Sequence, residues 1–535
     1  MSLLSALNMS SAALGVHQTG IDIVSNNISN MNTEGYSKQK ANLGTLTLGI
    51  PMGDVPGLQA KTSCGVELIN VSRYETSFLG SYYREEITEQ SYLDEQSKAL
   101  GDIVNMFDEL KGNGLDSALT DFYASLDNLN QNPADMDARV NFIDNAAALA
   151  QSMNRISSDL NKLKNSAVGD GTSVELLGKS GLGKEIVSLN STLDNLVSIN
   201  KQLISSQTGT LENNNLLDRR DMLLKDLSKF ANFETEIMDN GTVNLSIDGT
   251  ELVKGATLKA SFGVQTAAQY DAYCQATGLT NTNKENAVIM LKKDDGQVIQ
   301  NMNDRISSGT LGAILENAAG EEGITANSVL KDMDNLANTI ANIFNEIQTR
   351  EGAFYIDNSS GKPQLSNEHL EDYKIFVDDD ASGTITAGNI TINPLLKDEG
   401  GYNKIATAYF PDYDPLVPES VDKNAVGNSD NVKAMVDTLT NTSGVEFAPI
   451  GNLSLTDYYS GLLSQVVSAS STANNNAEIQ NNIVASLDSK AKAETSVDLN
   501  EELTDLVRFQ TAYNASARVF STCNILLDTL VNLGR

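Results

Sequence analysis

Residues 3–31 read LLSALNMSSAALGVHQTGIDIVSNNISNM, and residues 499–531 read LNEELTDLVRFQTAYNASARVFSTCNILLDTLV. In the first stretch Leu3, Leu7, Ser10, Leu14, His17, Ile21, Val24, Ile28 and Met31 recur at alternating steps of four and three. In the second, Leu499, Leu503, Leu506, Gln510, Tyr513, Ala517, Phe520, Asn524, Leu527 and Val531 keep the same rhythm. That spacing holds one seam of a helix against a partner. Each end also carries a second seam. It is small near the start (Ala6, Met9, Ala13, Val16, Gly20, Ile23) and larger near the finish (Phe509, Ala512, Ser516, Val519, Cys523, Leu526, Leu530, Leu533). A helix apolar on two sides needs neighbours on both, as in a polymer or a large bundle. The terminal helices are therefore expected to be assembly elements. Leu7, Leu14, Ile21, Ile28, Leu499, Leu503, Leu506, Tyr513, Phe520 and Leu527 are the candidate assembly seam.

Working inward, the first helix is expected to stop near Asn30, where polar and glycine residues take over. Lys38 to about Glu67 reads as an extended, irregular arm interrupted by glycines. From Tyr74 to about Lys164 helical periodicity returns, and Pro133 marks a helix start after Asn132. Another long helix is expected from about Gly183 to Ser206. The period changes to two near residue 233, where Asn240-Gly241, Asp248-Gly249 and Asp295-Gly296 mark hairpin turns. Helix returns from about Gly309 to Arg350. A second β region spans about 353–449, and a last helix runs from about Thr456 to Ala493 before the C-terminal one.

This ordering predicts an α+β multidomain chain with terminal coiled-coil helices, a long-helix bundle domain and projecting β-rich domains. The expected boundaries are discontinuous: 1–66 with 496–535 for the terminal assembly domain and its arm; 67–228, 306–352 and 450–495 for the helical bundle; and 229–305 with 353–449 for the outer β-rich part. Lying away from both seams, the 353–449 region is expected to tolerate deletion.

Composition narrows the class. A chain of 535 residues is too long for one core. Apolar content of 40% suffices for burial. A net charge of −33 disfavours nucleic acid and anionic membrane as partners. No Lys or Arg precedes Lys38 and no long apolar run follows Met1, so neither a cleaved signal nor a membrane anchor is expected. Cys64, Cys274 and Cys523 are too scattered for a disulfide framework or a zinc spacing. No phosphate loop, HExxH or Gly-x-Ser-x-Gly motif is present. Catalysis has no candidate residue, and no metal or cofactor is expected.

The segment 26–39 resembles the N-terminal motif of bacterial flagellar axial proteins, through Asn26, Asn27, Asn30, Thr33, Gly35 and Tyr36. Asp498-Leu499-Asn500-Glu501-Glu502 with Phe509-Gln510 and Tyr513 to Val519 resembles their C-terminal motif. The interior stretch 215–228, with Asp218, Arg220 and Asp221, resembles the hook-associated protein 1 family, as do Pro133 with Arg139 and the run 308–315. That resemblance implies a structural role at the join of hook and filament, with the terminal helices forming an inner tube. It implies copies of the chain itself, hook protein and the next hook-associated protein as partners, and an export chaperone. It also implies export through the flagellar type III apparatus to an extracellular flagellum. Hook protein or flagellin would share the terminal motifs but lack the 214–228 and 308–315 segments. An exported wall hydrolase would need a general-acid Glu and a partner carboxylate in a cleft.

Three further sites have plainer readings. His17 on the seam is expected to be a partly buried helix histidine with a hydrogen bond rather than a switch. Asp378 to Gly383 imitates a calcium loop but has Asn389 where a Glu is required, so a solvated turn is expected. Asp218 to Asp221 is expected to be an orienting salt-bridge cluster.

Overall fold

The computed structural model describes residues 3–51, 59–74, 77–107, 114–277, 287–293, 297–320, 323–358, 362–414, 416, 421–440 and 450–533. Helix α1 (Leu3–Asn30) leads into a two-stranded ribbon, β1 (Gln39–Pro51) and β2 (Gln59–Arg73). The arm expected to be irregular is thus a regular antiparallel ladder, with register shifts at Asn42/Leu43 and Leu46/Thr47. The correction has a simple cause. Gly65, at φ 135°, absorbs one irregularity, so glycine here bends a strand rather than ending it.

The body begins with α2 (Ser77–Phe107), α3 (Leu115–Gln131) and α4 (Met136–Val168). Asp135, not Asn132, caps α4 by accepting from Asp137 N, and Pro133 sits in the turn before it. Next come α5 (Val174–Lys179), α6 (Gly181–Ser205) and α7 (Leu211–Phe230). Ser180 and Thr210 cap α6 and α7. The first β region holds β3 (Glu234–Ile237), β4 (Val243–Ile247), β5 (Thr250–Lys254) and β6 (Thr257–Leu258) in one antiparallel sheet. A second sheet orders β7 (Ser261–Thr266), β8 (Ala287–Lys292) and β9 (Val298–Asn301), with α8 (Ala267–Thr277) after β7. At Asp248-Gly249 both turn residues have positive φ, 48° and 72°, whereas at Asn240-Gly241 only the glycine does. The turn expected at Asp295-Gly296 lies outside the described residues.

Helices α9 (Gly309–Ala319) and α10 (Ala326–Thr349) follow, the latter opened by a Thr325/Ser328 capping box. The segment after them contains β10 (Ala353–Asp357), β11 (Gln364–Ser366), β12 (Phe376–Asp378), β13 (Ile390–Ile392), β14 (Ala406–Tyr409) and α11 (Asp430–Leu439). The chain closes with α12 (Leu455–Thr495) and α13 (Leu499–Leu533).

Two large cores organise the body. One joins α6, α7 and α9 to the sheets of 234–301, with Leu189, Leu224, Leu245, Leu252 and Ile289 at its centre. The other packs α2, α3, α4, α10 and α12 around Phe122, Phe142, Phe344 and Tyr459. Ile375, Phe376, Ile390, Ile392, Leu396, Ile405 and Met435 belong to this second core. The line drawn at 353 therefore divides residues that share one interior. The strands there are too short to bury a face among themselves, and the helices supply the rest.

Side-chain amides on helices complete the sheets. Asn190 on α6 accepts from Phe262 N and donates to Phe262 O, as a neighbouring strand would. Asn345 on α10 does the same for Phe376. Buried Arg139 donates to the carbonyls of Pro133, Asn403 and Ile405. Burial without an acid beside it lowers its pKa to about 10. It fastens loop 402–407 to α4.

Candidate functional site

The two chain ends pair. Asn27 Nδ2 donates to Glu502 Oε2 at 3.0 Å, and the Phe509 ring lies over Gly20, where an added Cβ would come within 2.7 Å of it. Both contacts share one antiparallel register, which, extended by the heptad, would set Ala13 opposite Ser516 and Ala6 opposite Cys523. The contact therefore runs along the small seam of α1, where Val16, Gly20 and Ile23 are buried. On α13 the most buried residues are Glu502, Phe509 and Cys523, one heptad multiple apart.

The first heptad seam is split: Ser10 and Val24 are buried, whereas none of the ten candidate assembly residues is. Of the candidate assembly seam, Leu499 and Leu503 are exposed (39% and 45%). Leu7, Leu14, Ile21, Ile28, Leu506, Tyr513, Phe520 and Leu527 are half-buried at the flanks. The physical reason is size: glycine and alanine let the backbones close, and the Phe509 ring fills the space. Leu4, Val507, Val519, Leu526, Leu530 and Val531 remain exposed, so the pair keeps apolar surface facing outward. His17 packs near Phe509, with ring centroids 6.3 Å apart, and its buried Nδ1 has no hydrogen-bond partner among the described residues, contrary to expectation. Burial lowers its pKa.

Below the pair, a polar joint fastens it to the body. Asn27 is the hub. Its Oδ1 accepts from Gln39 N (3.0 Å) and the Tyr36 hydroxyl (2.7 Å), and its Nδ2 donates to Gln39 O (2.9 Å). Lys38 Nζ meets Glu501 and Glu502 at 2.6 and 3.2 Å, and Lys38 N donates to Thr495 O. The Gln39 side chain reaches α7, donating to Asn215 and accepting from Asn214. Asn214 also donates to Val71 O. Asp218 Oδ1 binds Arg73 at 2.9 Å, its other oxygen accepts from Ser37 N, and Arg73 reaches Asp221 at 2.6 Å. Arg220 holds Asp221 and donates to Gly241 O, tying the β3–β4 turn to α7.

Electrostatics follow from burial. Desolvation pushes the Asp218 carboxyl up, with Arg73 and Ser37 pulling the other way. Burial would lower Arg73, but Asp221 and Asp218 outweigh it and the net shift is up. Desolvation likewise opposes Lys38, and Glu501 with Glu502 raises it overall. Burial and the nearby Asp218 and Glu502 charges push the Tyr36 phenol well above its ordinary value.

The motif residues Asn27, Tyr36, Asp218, Arg220 and Asp221, far apart in sequence, thus meet in one place. Asn26, Asn30 and Thr33 bond locally at the end of α1 instead. Gly35, at φ 77°, lies where any side chain would run into Met222. Arg73 and Asn214 had no sequence signal, because neither sits in a periodic pattern. In the acidic turn, Asn389 Nδ2 lies within hydrogen-bond distance of Asp380 Oδ1, Ser382 Oγ and Thr384 O, which ties the turn together.

Comparison with known proteins places these features. Residues 100–363 match a family model described as the helical domain of flagellar hook-associated protein FlgK. Residues 6–36 match a model for the flagella basal body rod protein, and 494–533 one for the C-terminal part of flagellar basal body rod FlgEFG proteins. The chain is 26% identical to flagellar hook-associated protein 1 of Bacillus subtilis (strain 168), covering 97% of this chain and 96% of the relative. It is 25% identical to the protein of that name from Escherichia coli (strain K12), covering 99% and 100%. The fold is similar to that of the flagellar hook junction protein FlgK from Burkholderia pseudomallei, with a TM-score of 0.54 at 14% identity, over 78% of this chain and all of that one.

Proposed function

The chain belongs to the family of flagellar hook-associated protein 1, and from that premise we propose that it is a structural protein of the hook–filament junction. The observation that carries the reading is the α1–α13 pair: helices from opposite chain ends close on each other and still present apolar residues outward. Such a pair is half of an interface. Leu499, Leu503 and Val507 on one side, and Leu526 and Leu530 further along, would be covered by copies of the same chain arranged as a tube. Hook protein and the next hook-associated protein then stack below and above. Delivery is through the flagellar type III apparatus, with an export chaperone shielding the apolar helices beforehand. The protein ends up outside the cell and performs no catalysis. No helix among the described residues is long and apolar enough to cross a membrane.

The polar joint has a role in the same reading. It transmits load from the tube to the body through hydrogen bonds and ion pairs. The test is complementation of a strain lacking the gene. Leu503→Asp changes a residue already exposed in the monomer, so the purified protein should fold and melt normally. Flagella should nevertheless lack filaments, because the charge would be buried between neighbours. Normal filament number with Leu503→Asp would overturn the assignment of that face to assembly.

A further inference from the structure

Gln39 is 2% exposed and sits between two structural units that share no apolar core. The apolar clusters of the body include no described residue of α1, β1, β2 or α13. What crosses the joint is polar, and Gln39 is bonded on both sides of it. Its main chain pairs with the Asn27 carboxamide, N to Oδ1 at 3.0 Å and O to Nδ2 at 2.9 Å. Its side chain spends both groups on α7, Nε2 on Asn215 at 2.9 Å and Oε1 on Asn214 at 3.1 Å. Asn27 in turn holds Glu502 on α13, and Asn214 holds Val71 O on β2. No hydrogen bond joins Asn27 directly to Asn214 among the described residues.

We propose that Gln39 is the positioning residue that couples the terminal helix pair to the helical body, so that Asn27 and Asn214 act on each other only through it. The chemistry supports this. A buried glutamine with every bond satisfied has one acceptable placement, since moving it to suit one neighbour strands a buried amide at the other. Docking α13 through Glu502 fixes the Asn27 carboxamide, which fixes the Gln39 main chain and aims its side chain at α7. The relay runs equally in reverse, because a coupling free energy is reciprocal. The inference concerns the chain alone and does not depend on the flagellar reading.

The experiment is a mutant cycle on the full chain. Ala6→Cys is paired with the native Cys523, which the register of Asn27–Glu502 and Gly20–Phe509 would set opposite when extended, to keep α1 and α13 together in the monomer; Cys64 and Cys274 are changed to Ala. Native-state hydrogen exchange reads the opening of 24–30 and of 211–222. Asn27→Ala, Asn214→Ala and the double variant are compared in the Gln39 background and in Gln39→Met, which keeps the volume and the main-chain bonds to Asn27 but not the side-chain bonds to Asn214 and Asn215. The expected result is non-additivity of about fivefold or more in the opening equilibria with Gln39, and additivity with Gln39→Met. Additive effects with Gln39 present would overturn the proposal. So would equal non-additivity in the Gln39→Met background, which would route the coupling through β2 instead. Should Gln39→Met open the joint outright, an unchanged melting transition of the body counts for the proposal and its loss counts against.

Discussion

Arg73→Met is the sharpest test of the joint. The Arg73 side chain is 5% exposed and that of Asp218 is 7% exposed, so their 2.9 Å contact lies almost wholly out of water. Removing the guanidinium leaves the Asp218 carboxylate with only the main chain and side chain of Ser37 as donors among the described residues. Breaking a buried pair on one side costs about 3 to 5 kcal/mol, because the surviving charge is unpaired. The second contact, to Asp221, adds less than about 1 kcal/mol, since that carboxylate is 40% exposed and keeps Arg220. The joint should therefore open at least about a hundredfold more often at neutral pH, and up to about a few thousandfold at the upper end of that range.

The penalty should also depend on pH in a definite sense. Burial already holds the Asp218 carboxyl above its ordinary 3.8, and losing Arg73 raises it further. A folded pKa above the unfolded one gives stability that is present at low pH and lost as pH rises through the folded value. The Arg73→Met chain should thus recover as pH falls through that raised value. Arg73 stays charged throughout the range, so the unaltered chain recovers less. Adding Asp218→Asn should relieve most of the loss at neutral pH. Hydrogen exchange over 31–39 and 209–222, with protease sensitivity at 31–38, measures all three effects. A penalty that ignores pH and is not relieved by Asp218→Asn would refute the buried-charge account.

Gly20→Leu should separate α1 from α13 at a cost of about 1–3 kcal/mol, seen as faster exchange along both helices, because even a Cβ there meets the Phe509 ring at 2.7 Å. His17, with its pKa lowered by burial, contributes stability fully present above its ordinary 6.5 and lost as pH falls; exchange of 10–24 should rise on acidification and stay flat in His17→Gln. Lys38, raised overall by Glu501 and Glu502, holds its contribution below its ordinary 10.5 and loses it as pH climbs past that, so trimming of the termini by an alkaline-tolerant protease should increase there. Clean deletion of 353–449, which the sequence suggested would be tolerated, should instead abolish the cooperative melt of the body, because Phe376, Ile390, Ile405 and Met435 are interior to it.

The ends of the chain announced their helices and their motifs, but heptads alone do not say which of two seams is satisfied within the chain. Gly20 against Phe509 decides that, and large-against-small matching is visible only once the register is known. Leu503 carries the same pattern as Phe520, yet one is exposed and the other half-buried. The joint was legible as two unrelated strings, 26–39 and 215–228. Their meeting depends on Arg73 and Asn214, single polar residues with no periodic context. Hairpins at Asp248-Gly249 were readable because positive φ needs those residue types. The burial of 375–405 against α3 and α10 was not, since short strands look alike whether they project or pack.

The amides of Asn190 and Asn345 carry a consequence for crowding. Junction subunits meet at high local concentration, where an unprotected strand edge would recruit its copy from the next molecule and grow a fibril of the wrong kind. Because Phe262 and Phe376 already hold a carboxamide across both main-chain groups, neither residue has a vacancy to offer at its strand edge.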